Sequence, residues 1–97
     1  MNAEVVSCAD GKLSVKGGVT IDNVVETMTR GAALLNWEKR VIDLGGITEV
    51  DSSAVSMLLE WQREGNRRGG RICFTNIPPK LESLVRLYGV SDLIHLP

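Results

Sequence analysis

Hydrophobic and polar positions alternate at the start of the chain and then change period. Leu13 and Val15 alternate with Lys12, Ser14 and Lys16, the period of two that marks a half-buried strand. A first apolar segment, Glu4–Cys8, precedes it, and Ala9-Asp10-Gly11 lies between them. Asp-Gly favours a tight hairpin because both residues tolerate positive φ, so an antiparallel pair is expected here. Gly17-Gly18 is expected to end the second strand by a turn. From Ile21 the apolar residues Val24, Val25, Met28, Ala32 and Leu35 recur at three- and four-residue steps, which predicts a helix with one apolar stripe. Thr20 or Asp22 is available to cap it, and Asn36 to end it.

Val41-Ile42-Asp43-Leu44 has the character of a short buried strand, expected to close at Gly45-Gly46. A second helix is predicted from about Ser53 to Asn66, ending at Arg67-Arg68-Gly69-Gly70, where positive charge suits the helix C-terminus and glycine the residue beyond it. Arg71–Thr75 follows as a strand. Pro78-Pro79 opens a third helix, since proline loses no intrahelical bond in the first turn. Leu81, Leu84, Val85 and Tyr88 form its stripe, and Gly89 stops it. The order β-β-α-β-α-β-α implies an α/β fold: a small mixed sheet that begins with an antiparallel hairpin, continues with parallel neighbours, and carries its helices packed on it.

Composition narrows the function classes. Ninety-seven residues are expected to form one domain spanning 1–97, with an aliphatic core because only 4% of the residues are aromatic. A formal net charge of −1 argues against a general electrostatic grip on nucleic acid or anionic lipid. No apolar run approaches the roughly 20 residues that span a bilayer, and the N-terminus lacks the pattern of a secretory signal. Cys8 and Cys73 lie without CxxC spacing and are read as free thiols of a cytoplasmic protein. His95, the only histidine, has no ligand-spaced neighbour, so neither a metal site nor a cofactor is implied. A hydrolase built on Ser53 would need His95 within reach of its hydroxyl, and no GxSxG elbow is present. Arg67, Arg68 and Arg71 are read as a solvated face.

The stretch VDSSAVSMLL (residues 50–59) carries the remaining chemistry. Aspartate and serine are leading N-cap residues, because their side-chain oxygens accept the orphan N–H groups of a first helical turn. A phosphate on Ser52 or Ser53 would also be tolerated at that positive helix end. Asp51 is expected to be the cap. On the helix behind it, Ala54, Val55, Leu58, Leu59, Gln62 and Gly65 fill one face. Met57 and Trp61 widen the apolar arc, either because a neighbouring helix covers them or as an exposed edge for a partner.

The run VIDLGGITEVDSSAVSMLLEWQREGNRRGGRICFTNIPPKLESLVRLYGVSDLI resembles the STAS domain family over nearly the whole chain. The resemblance rests on a strand ending in Asp-Leu, an Asp-Ser-Ser loop opening a helix, and the late LYGVSDLI segment. It implies a non-enzymatic binding module in one of two branches. In anti-sigma-factor antagonists the second serine of Asp-Ser-Ser-Gly is phosphorylated by a partner kinase, itself the anti-sigma factor. That serine matches Ser53, although Ala54 replaces the glycine. In the small STAS subunit of Mla phospholipid ABC transporters, the hydroxyl directly after the aspartate, matching Ser52, lies where the domain meets the ATPase. NIPPKLESLVRLYGVSDLIHLP is more similar to this second branch. The resulting expectation is a partner-binding face of Asp51, Ser52, Ser53, Met57, Trp61 and Glu64, docking on an ABC transporter ATPase and reaching the membrane only through that complex.

Overall fold

A computed structural model describes residues 3–7, 12–34, 41–69 and 72–94. The strands β1 (Glu4–Ser7), β2 (Leu13–Val19), β3 (Val41–Val50) and β4 (Cys73–Thr75) and the helices α1 (Val24–Leu34), α2 (Ser52–Arg67) and α3 (Pro79–Leu87) follow one another in the expected order, with a short 3-10 turn at Ser91–Leu93. The strands form one sheet in the order β1-β2-β3-β4. β1 and β2 are antiparallel, and β2–β3 and β3–β4 are parallel. This is the mixed α/β sheet that the alternation of periods predicts. The Asp-Gly hairpin turn and His95 lie outside the described residues. Cys73 is a free thiol, and Cys8 lies outside them as well.

Strand alternation sets the core. Leu13 pairs with Ile42 and Ile42 with Phe74, a row across three strands that is almost wholly shielded from solvent. Val5 and Val15 extend the same face. Glu4 and Lys16, on the other face, are exposed, and Ser14, Asp43, Cys73 and Thr75 are half-buried. The helices therefore cover one face of the sheet.

Two expectations at glycines are corrected. β2 runs through Gly17-Gly18 to Val19, and β3 runs through Gly45-Gly46 to Val50. Nine residues of β3, Ile42 to Val50, face seven of β2, Leu13 to Val19, and the register slips twice. Each slip places an extra residue on β3, as in a β-bulge. The buried positions of β3 are Ile42, Leu44, Ile47 and Val50, so each bulge resets the inward phase of the strand. Gly46 permits the close pairing, because a β-carbon there would lie 2.7 Å from Lys16 Cγ. A period-two pattern breaks at such points, which is why the sequence reads as a strand end.

The stripe of α1 is also turned from its expected position. Val24, Thr27 and Gly31 are buried, whereas Ile21 precedes the helix and Ile21 and Val25 stand exposed. On α3, Leu81 and Val85 are buried, Leu84 is partly covered, and Tyr88 is exposed. Pro79 occupies the first turn of α3, and Gly89 beyond it has φ +68°, the left-handed conformation that glycine adopts at little cost.

Candidate functional site

The two long parallel strands end side by side. Val19 pairs with Val50, and the Asp51 N–H donates to the Val19 carbonyl at 3.4 Å. The segments leading into α1 and α2 thus start from one point, at the carboxyl edge of the parallel strands, where open α/β sheets place their binding crevices. Asp51 caps α2 as expected: its Oδ1 accepts the Ser53 N–H at 2.9 Å. The same oxygen accepts the Ser53 hydroxyl. Its Oδ2 accepts the Ile21 N–H at 2.9 Å, a bond across thirty residues. The Ser53 hydroxyl, together with the Ile21 and Ser53 N–H groups, holds the Asp51 carboxyl below its ordinary range, against partial desolvation. Asn23 anchors the other end of the loop, accepting the Thr20 N–H at 3.1 Å and donating to the Gly18 carbonyl at 2.8 Å. Ile21 is held outward between these two anchors, 72% exposed.

The adjacent serines take opposite positions. Ser52 is exposed at the first position of α2. Ser53 is buried, 8% exposed, with its hydroxyl committed to Asp51. Both border an open groove of about 610 Å³. Asp51, Ser52, Ser53 and Ser56 supply its polar end. Its apolar lining comes from Val55, which is buried, from the half-buried Leu59 and Val90, and from Ile21 and Tyr88, which stand exposed. Ile21, Val55, Ser56, Leu59, Tyr88 and Val90 were not among the expected site residues. Ile21 and Tyr88 fit helical stripes in sequence, and only the three-dimensional placement shows them exposed beside the serines.

Of the two readings of Met57 and Trp61, cover by neighbouring elements holds, and their place on the expected partner-binding face is corrected. Met57 is fully buried and Trp61 is 1% exposed. The Trp61 indole donates to the Met28 carbonyl of α1 at 3.1 Å and packs against Gly31, where any β-carbon would collide with the ring. The wide apolar arc of α2 is therefore filled by neighbouring elements, and the helix contacts both α1 and α3. Glu64 lies outside the groove, at the far end of α2. Its carboxylate accepts from Arg67 at 2.7 Å and Arg68 at 2.9 Å. Arg67 first and Arg68 second hold it below the usual glutamate range. Gln62, also buried, sets its amide against the Ile72 backbone, and the amide orientation that donates to the carbonyl at 3.1 Å and accepts from the N–H at 3.2 Å satisfies both groups. Of the expected face, the structure brings Asp51, Ser52 and Ser53 together and separates them from Met57, Trp61 and Glu64.

Solved structures share this architecture. A chain of the Acinetobacter MlaFEDB complex in an ATP-bound conformation superposes with a TM-score of 0.75 at 22% identity, covering 96% of this chain and 100% of that one. The unphosphorylated anti-sigma factor antagonist SpoIIAA gives 0.69 at 15% identity, covering 98% and 87%. The phosphorylated Bacillus cell fate determinant SpoIIAA gives 0.64 at 15%, covering 98% and 90%. No curated protein matches the chain in a sequence comparison. The family model described as "Mlab, STAS domain" matches residues 5–95, and the chain belongs to the STAS family.

Proposed function

We propose that this chain is a non-enzymatic, cytoplasmic regulatory subunit that docks on the ATPase of a phospholipid ABC transporter of the Mla type, meeting the membrane only through that complex. The observation that carries this reading is the exposed Ser52 hydroxyl at the polar end of a groove that also presents Ile21 and Tyr88. Exposed apolar side chains beside a small polar cluster have the make-up of an interface core with its polar contacts. The ATPase buries Ile21 and Tyr88, and the Ser52 hydroxyl pairs with a polar group that would otherwise be desolvated alone. The description of the matching family model and the MlaFEDB neighbour favour this branch.

Co-purification with the ABC ATPase is the test. Ser52→Asp places a carboxylate in the first turn of α2, where the helix dipole favours it, so the fold survives while the contact changes. Loss of pairing in Ser52→Asp and in Tyr88→Ser, but not in the distant control Glu4→Gln, is expected. Unchanged pairing and ATPase activity in both variants would remove the assignment.

One observation favours a second reading, an anti-sigma-factor antagonist switched at Ser53. A phosphate on Ser53 would add nearly two negative charges beside the Asp51 carboxylate that now accepts its hydroxyl. The resulting repulsion would loosen both the α2 cap and the Ile21 loop. Phosphopeptide mapping after incubation with an anti-sigma kinase decides it; modification at Ser53 supports this reading, and an unmodified Ser53 excludes it.

A further inference from the structure

The charges around the groove are segregated. The chain is almost balanced, with 11 lysines and arginines against 12 aspartates and glutamates. Yet exposed aspartates flank the groove lining in sequence, Asp22 beside Ile21 and Asp92 two residues after Val90. Among the described residues, no ion pair engages these two. Among the described residues, other arginines pair elsewhere, Arg30 with Glu26, Arg63 with Glu60, and Arg67 and Arg68 with Glu64. Arg86, the one cation within two residues of the groove lining, faces Glu82 at 3.7 Å. Asp51, inside the groove, is held in its ionised form at neutral pH.

Resting on the docking reading above, we infer that the groove receives a basic amphipathic segment of the partner, apolar side chains against Ile21 and Tyr88 and lysines or arginines against the acidic rim. Complementary rims steer association and fix register. The same charges work against the other occupants. In a two-fold contact a second copy would set this acidic rim against itself, and an anionic lipid surface would be repelled.

The test is a fluorescence-anisotropy titration of the full chain with two synthetic helical peptides. Both carry the same leucine stripe; one has lysines on its remaining face and the other glutamates. The lysine peptide is expected to bind and the glutamate peptide to bind far more weakly, with the preference lost at about 0.5 M salt, where the screening length is only a few ångströms. Asp22→Asn/Asp92→Asn should weaken the lysine peptide by about threefold to tenfold, the range for two exposed charge contacts. Tyr88→Ser should weaken both peptides, and Glu4→Gln neither. Equal binding of the two peptides, no binding of either, or no effect of the double variant would overturn the inference. Self-association that Tyr88→Ser abolishes, or binding to phosphatidylglycerol vesicles, would assign the groove to another occupant and overturn it too. An ATPase that docks through Ser52 and Tyr88 regardless of rim charge leaves the docking reading standing while this inference fails. A peptide preference without ATPase pairing does the reverse.

Discussion

At the scale of single residues, Asp51 has two roles that compete for nothing, because each carboxylate oxygen has its own partners. One oxygen caps α2, and the other holds the loop from which Ile21 projects. The cap was legible in three letters of sequence; the bond to Ile21 was not, because its partner stands thirty residues away and nothing local signals it. Asp51→Ala is expected to lose about 1–2 kcal/mol, as for other lost caps, and to weaken partner binding through the freed Ile21 loop. Urea unfolding and binding titrations measure the two effects. The pH dependence has a defined sign. The folded-state carboxyl titrates below its unfolded value, so its stabilisation is complete above the ordinary aspartate range and is lost as pH falls through the folded value. The stability gap between wild type and Asp51→Asn should therefore be wide at neutral pH and shrink in acid; a gap that is constant or grows in acid contradicts this account of the carboxylate. The serines were separable only in three dimensions, since a helix start turns one hydroxyl outward and the next toward the cap.

At the scale of elements, the sequence left two readings open for the wide apolar arc of α2, cover by a neighbouring helix or an exposed edge for a partner, and the burial of Met57 and Trp61 bears out the first. Its apolar arc is wider than one sheet face requires, and the excess is buried, Trp61 against α1, rather than left for a partner. Trp61 fits because Gly31 offers no side chain. Trp61→Ala should cost about 3–5 kcal/mol, the range for truncating a buried aromatic, and Gly31→Ala about 1–3 kcal/mol by overpacking against the indole. Thermal or urea unfolding measures both; a stability loss under 1 kcal/mol in each would contradict the packing described. β3 teaches a related lesson. Its hydrophobic positions run at steps of two, three and three, because two bulges shift the phase, and a search for strict alternation stops at the first of them. The helices and the order of elements along the chain were legible from their periods, and the strand ends were not, because bulge and turn both use glycine.

At the scale of the whole molecule, the sheet order decides where chemistry can gather. Two parallel strands finishing together bring the Ile21 loop to the Asp51 cap, and the end of α3 adds Tyr88 and Val90. The sequence motif marked the centre of this surface, and topology supplied its edges. The proposed function rests on docking of a partner ATPase at this groove, with Ser52 at its polar end. The most direct measurement is the affinity of the ABC ATPase for wild type, Ser52→Asp and Tyr88→Ser, each first shown by circular dichroism and urea unfolding to keep its fold. A loss of about tenfold or more is expected in each variant, in the range of a truncated interface anchor, with Glu4→Gln unchanged. Equal affinity of all four proteins would contradict it.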